Sequence, residues 1–142
     1  MTEVSFHLNV PDAEAYVCRL LRKAYAKGAR VWVVADESRL GALDRALWLM
    51  GQGDFVPHAR SSAPPHVRKH TPILLGDSDA GGEGVLVNLS ARMPENPASF
   101  ERVIEVVGTP EVAREAARAR WKQYRSAGFA PQAVDLSSRS DA

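Results

Sequence analysis

The chain has 142 residues, 45% of them hydrophobic and 25% charged. These figures suit one soluble domain of about 100–150 residues and exclude a disordered or low-complexity architecture. The single cysteine, Cys18, excludes an intramolecular disulfide and favours a reducing, cytoplasmic setting. No apolar run approaches the ~20 residues of a membrane span, and the N-terminus lacks the basic-then-apolar build of a secretory leader.

The opening Val4-Ser-Phe-His-Leu8 alternates apolar and polar residues and predicts a strand. Pro11 suits the first position of a helix whose stripe is Tyr16, Val17, Leu20, Leu21 and Ala24, with Gly28 as its stop. Residues 30–35 form a β-branched and aromatic run, the pattern of a strand covered on both faces. Asp36 and Ser38 are placed to cap a second helix carrying Leu40, Leu43, Leu47 and Trp48 on one stripe. Residues 51–71 are rich in turn formers, including Pro64-Pro65, and are expected to be a long surface loop. Residues 72–75 and 85–89 read as short strands joined by a Gly-rich, hairpin-like connection. Residues 100–107 are expected to end as a strand, and Thr109-Pro110 opens a last helix that reaches about Ala127 before Gly128. Residues 130–142 are polar and expected to be a flexible tail after a domain of residues 1–129.

Strands alternating with helices predict an α/β fold, a Rossmann-like, mainly parallel sheet flanked by helices in a single domain. Nucleotide-binding chemistry does not follow from it. No Gly-Lys-Ser or Gly-Lys-Thr is present, and the loop of residues 76–84 carries Asp77, Asp79 and Glu83, which repel phosphate. The first strand-to-helix junction also lacks a Gly-x-Gly-x-x-Gly fingerprint. His66 and His70 stand four apart in a Pro-rich stretch without a cysteine or an obvious third ligand, which favours a solvated pair over a zinc site. Cys18 borders a helical stripe as a packing residue, and no Gly-x-Ser-x-Gly elbow occurs. The sequence recommends no cofactor and no catalytic residue.

The last helix is more informative. Residues 111–129 hold five basic and two acidic residues, net +3 in a chain whose net charge is +1. At 100° per residue, Arg114, Arg118, Trp121 and Arg125 fall within about 60° of one another, with Lys122 beside them. Ala113, Ala117 and Tyr124 form the neighbouring stripe. Trp121 therefore sits between core and basic face, where Arg forks suit carboxylate or phosphate and an aromatic rim suits a side chain or a base. A solvated basic face with a core Trp is the simpler alternative. A second patch combines Trp48 with Phe55-Val-Pro-His58, either core packing or an aromatic-proline surface for a partner protein.

Leu43-Asp-Arg-Ala-Leu-Trp48, Phe55-Val-Pro-His58, Pro72-Ile-Leu-Leu75, Asn88-Leu89 and the run from Ala117 to Phe129 together resemble the chi subunit of bacterial DNA polymerase III holoenzyme. The resemblance covers nearly the whole chain, in order and spacing. It implies a non-catalytic accessory subunit of the clamp-loader complex with a Rossmann-like fold and no nucleotide site. It also implies two partners. One is the acidic C-terminal tail of single-stranded DNA-binding protein, which ends in a phenylalanine carboxylate. By position, Arg114, Arg118, Trp121, Lys122, Arg125 and Gly128 would bind it. The other is the psi subunit, through Trp48, Phe55, Pro57 and His58. Contact with DNA would then be mainly indirect, and no membrane is involved. Trp121 departs from the family's more usual Tyr, keeping the aromatic rim without the hydroxyl. A single-stranded nucleic-acid module using the same helix, and a small α/β enzyme using His58, are the alternatives.

Overall fold

In the computed structural model, which describes residues 2–138, the alternating residues at the N-terminus form β1 (Glu3–Val10). Val4 and Phe6 of β1 are buried on one face. Asp12 then caps α1 (Ala13–Ala26), its carboxylate accepting from the Ala15 amide at 3.1 Å, which satisfies one of the orphan donors at the helix start. The apolar run becomes β2 (Val31–Val34), buried at every position, and α2 (Glu37–Trp48) follows. Asp36 precedes α2 but makes no side-chain cap. Its carboxylate lies 3.3 Å from Arg92 instead.

Residues 51–71 are not one loop. They contain a 3-10 turn (Gln52–Asp54), a three-residue strand β3 (His58–Arg60) and a short helix α3 (Pro65–His70). The strands β4 (Ile73–Gly76) and β5 (Val85–Asn88) both run parallel to β2 and pair with it on opposite sides. The connection between them is therefore a crossing over the end of β2, not a hairpin. Its last residue, Gly84, has φ +86°, and a Cβ there would meet the Arg30 carbonyl at 2.5 Å, so only glycine permits this entry into β5.

A 3-10 turn (Pro97–Ser99) leads to β6 (Arg102–Gly108) and the final helix α4 (Glu111–Ser126). The chain then turns at Gly128 and returns as β7 (Gln132–Asp135), parallel to β1. The polar segment after residue 129 is thus not a free tail: it supplies the seventh strand and a 3-10 turn (Leu136–Ser138). The last residues of that expected tail, 139–142, lie outside the described residues. Backbone pairing with β1 replaces the apolar side chains that sequence patterning looks for.

The sheet runs β3-β4-β2-β5-β6-β1-β7 with every pairing parallel, and helices cover both faces. On one face α1 and α2 pack Val17, Leu21, Leu40, Leu43 and Leu47 against Val33, Ile73 and Leu75. On the other, α4 packs Ala117 and Tyr124 with Phe6, Trp32, Leu86 and Val103. Cys18 is buried, and burial raises its thiol pKa, so it stays a protonated packing residue.

One polar cluster fixes α4 on the sheet. Glu105, in the middle of β6, is fully buried and accepts from Arg120 Nε at 3.0 Å and from the Tyr124 hydroxyl at 2.7 Å. Asn88 Nδ2 lies 3.1 Å from both carboxylate oxygens, and Arg120 Nη1 donates onward to the Ala91 carbonyl at 3.1 Å. Burial pushes the Glu105 carboxyl up, opposed first by the Arg120 guanidinium and then by the Tyr124 and Asn88 hydrogen bonds. Burial, with Glu105 beside it, also raises the Tyr124 phenol, so Tyr124 remains the donor. Removing one member strands a buried charge. Arg120→Met should lower unfolding free energy by about 3–5 kcal/mol in urea titration, and adding Glu105→Leu should recover most of the loss.

Candidate functional site: a basic groove beside the last helix

Because Arg120 and Tyr124 point into the sheet, the residues rotated from them along α4 turn toward β1 and β7. The Trp121 ring packs on Phe6, centroids 5.1 Å apart, and Phe6 meets Tyr124 edge-on at 5.7 Å. Between α4, β1 and β7 lies a groove of about 470 Å³. Its walls are apolar: Phe6, Leu8, Ala117, Trp121 and Ala133. Arg114, Arg118 and Lys122 line it as well and supply the cationic rim.

The groove's remaining side is Asn9, the one non-glycine residue among those described with positive φ, at 58°. Asn9 lies where the register of β1 against β6 shifts between His7 and Val10. Its Nδ2 donates to Asp135 at 2.9 Å and so ties the end of β7 to β1. Hydrogen bonds from Ser137, and then from Asn9, hold the Asp135 carboxyl below its ordinary pKa, with Arg114 a smaller contributor. On the outer side, Glu111 lies 3.6 Å from Arg114 and 3.3 Å from Arg118. These bridges are solvent-exposed, so they orient the two guanidinium groups at little energetic gain.

Of the six residues assigned to this face from sequence, four line the groove together: Arg114, Arg118, Trp121 and Lys122. Arg125 lies one turn further on and does not line it. Gly128, at φ +94°, ends α4 and lines a separate cavity of about 370 Å³ with residues 2–5 and Phe129. Sequence reasoning missed Phe6, Leu8, Asn9 and Ala133, because only strand pairing brings β1 and β7 to this helix. It gave no role to Arg120, which lies off the basic face and is buried against Glu105. A lone acid within the apolar run of residues 103–107 was the available signal, since such a residue needs a buried cation.

The second patch is a cluster of three rings. Trp48 stands 5.2 Å from Phe55 and 5.4 Å from His58, and Phe55 stands 5.8 Å from His58. The His58 side chain is only 1% exposed. Its Nδ1 donates to the Val56 carbonyl at 2.8 Å, and its Nε2 lies 2.8 Å from the Asp44 carboxylate. Trp48, by contrast, is 63% exposed, with Leu49 beside it more exposed still. His58 therefore props up an apolar surface, with Pro57 half-buried next to it. Among the described residues no group of three or more His, Cys, Asp or Glu could hold a metal ion, and no helix is long and apolar enough to cross a membrane.

The model of the DNA polymerase III chi subunit family, HolC, matches residues 1–132. The chain belongs to the DNA polymerase III chi subunit family. Membership places it among the accessory, non-catalytic subunits of the replicative polymerase. It is 32% identical over 135 residues to DNA polymerase III subunit chi of Pseudomonas aeruginosa, covering 91% of this chain and 93% of that one. Against the chi subunit of Escherichia coli it is 28% identical over 120 residues, covering 82% and 80%. The fold is also similar to Saccharomyces cerevisiae Dbp5 bound to RNA and ADP BeF3. There the TM-score is 0.63 at 13% identity, covering 98% of this chain and 43% of that longer one. The C-terminal domain of Dbp5 gives a TM-score of 0.59 at 11% identity, covering 94% and 90%. At such identities the likeness to Dbp5 concerns the fold alone.

Because Trp48 is largely exposed, Trp48→Ala should change stability by no more than about 0.5 kcal/mol in thermal melts followed by circular dichroism. His58→Ala removes a buried, doubly hydrogen-bonded ring and should cost about 1–3 kcal/mol in the same melts.

Proposed function

We propose that this chain is a cytoplasmic linker of the DNA polymerase III assembly. Its α4 groove takes the acidic C-terminal tail of single-stranded DNA-binding protein, and its Trp48 surface takes the psi subunit. The observation that carries the first half is the combination of an apolar slot with cations on its edge. A peptide that ends in an aromatic residue offers a ring and an α-carboxylate a few ångströms apart. The ring suits the space walled by Phe6, Leu8 and Trp121, and the carboxylates suit the forks of Arg114 and Arg118 with Lys122 nearby. Contact with DNA is then indirect at this site.

A nucleic-acid reading of the same helix is weakened by its charge balance. Arg120 is committed to Glu105, and the cations that remain line one short groove, a small footprint for a phosphate backbone. The psi assignment rests on the exposed rings of Trp48 and Phe55, since exposed aromatics of this kind dominate protein interfaces.

Calorimetric titration with a short acidic peptide ending in phenylalanine tests the first half. Arg118→Ala should weaken binding about tenfold, roughly 1.5 kcal/mol, and Trp121→Ala by a similar factor. Trp121→Tyr should be nearly neutral because it keeps the ring. Deleting the peptide's terminal phenylalanine should abolish measurable binding. Indifference to Arg118→Ala and Trp121→Ala alike would remove the assignment. For the second half, Trp48→Ala should weaken capture of psi in a pull-down while leaving peptide binding intact.

A further inference from the structure

A second concentration of positive charge lies far from α4 in the sequence. Residues 55–76 contain Arg60, Arg68 and Lys69, three of the four histidines, and no carboxylate at all. This stretch is net +3. With the +3 of residues 111–129, it leaves the rest of the chain at −5. Residues 15–35 add five cations, Arg30 among them, and no carboxylate, so the positive charge is concentrated in three segments rather than spread evenly.

The structure gathers part of this charge around a recess of about 280 Å³ beside α3, where Arg30, Arg68 and Lys69 join Pro65 and Pro72. Arg30 reaches across from the start of β2 and donates to the carbonyls of Arg68, Lys69 and Thr71 at 3.1–3.4 Å. Its charge is thereby fixed at the C-terminal end of α3. The Arg68 guanidinium lies 6.0 Å from the Trp32 ring centroid, and Arg68 Nε is buried with no acceptor among the described residues. Arg60 is paired with Glu37 at 2.9 Å, but no salt bridge among the described residues holds Arg30, Arg68 or Lys69. Glu83 is the one acid lining the recess.

The geometry points to a phosphodiester-binding site: the α3 recess takes the backbone of single-stranded DNA directly. The contrast with the α4 groove decides the ligand class. That groove offers a side-chain slot walled by aromatic and aliphatic residues. The α3 recess is also floored by Val31, Trp32 and Leu74, but all three are buried and the Arg68 guanidinium lies over the Trp32 ring, so no ring is left open there to receive a side chain. Cations without a side-chain slot suit a polymer recognised by its repeating phosphates rather than a peptide recognised by a terminal ring. DNA is also the polyanion on which a replicative polymerase works. The two sites share no lining residue, and β5 and β6 lie between the strands that floor them. Trp32 and Leu74 belong to the same buried cluster as Phe6 and Tyr124, so both sites open on the same face of the sheet. A tail held at α4 and a strand lying at α3 are thus compatible on one molecule.

Fluorescence anisotropy of the full chain with a labelled oligothymidylate at low salt tests this. With three cations engaged, the logarithm of affinity should fall with the logarithm of salt at a slope of about −2. Lys69→Glu should weaken the oligonucleotide about tenfold or more and flatten that slope, while its melting curve and its binding of the acidic peptide stay as in the parent. Arg118→Glu should do the reverse, losing the peptide and keeping the oligonucleotide within about twofold. Failure of the parent chain to bind oligothymidylate at low salt would overturn the proposal, and so would indifference to Lys69→Glu. Loss of the oligonucleotide in Arg118→Glu would move the contact to α4. Lys69-dependent binding of polyglutamate in preference to oligothymidylate would replace DNA by an acidic protein. The Lys69→Glu results do not bear on the peptide assignment, which stands or falls on its own variants.

Discussion

A carboxylate in the middle of β6 governs the orientation of the last helix. Glu105 has no solvent, and an unpaired charge at that depth would cost several kcal/mol. Arg120 and Tyr124, four residues apart on α4, satisfy it from above, while Asn88 does so from the neighbouring strand. This requirement sets the rotation of α4 about its own axis. Once Arg120 and Tyr124 face the sheet, Trp121 is laid on Phe6 at the border of the core, and Arg114, Arg118 and Lys122 face β1 and β7. Turning the helix by one residue, about 100°, would disperse the groove and bury a cation without its partner.

The groove is completed by chain that contributes little to the core. β7 is a short, mostly exposed edge strand held by its ladder to β1 and by the Asn9–Asp135 hydrogen bond. The positive φ of Asn9 costs roughly 1 kcal/mol or more, and it falls where β1 must break register beside the groove. The Trp48 surface belongs to α2 and so to the opposite face of the sheet from α4. The sheet therefore stands between the α4 groove and the Trp48 surface, a geometry that supports the proposed linker role.

The regular elements were legible because their periodicity is strong. The fully buried strand β2 announced itself as an unbroken apolar run, and α4 as a helix with distinct small and basic stripes. β3 was hidden because it is three half-buried residues with no alternation, and β7 because its polar residues owe their conformation to backbone pairing. The same division holds at the groove. Arg114, Arg118, Trp121 and Lys122 were legible as one helix face at fixed spacing. Leu8, Asn9 and Ala133 were not, since they arrive from strands more than a hundred residues apart in sequence. Arg120 falls off that face by spacing, but its partner Glu105 was not legible, since only the packing of α4 on β6 brings the two together.

The most direct test of the central claim is to map the bound peptide residue by residue. In a two-dimensional amide and indole NMR titration of the full chain with an acidic peptide ending in phenylalanine, the account predicts shifts concentrated on the Trp121 indole, Leu8, Asn9, Arg118 and Ala133. Residues around Trp48 and along α3 should stay unmoved. Shifts confined to α3 or to the Trp48 cluster, or no shifts at saturating peptide, would contradict the placement of the tail in this groove.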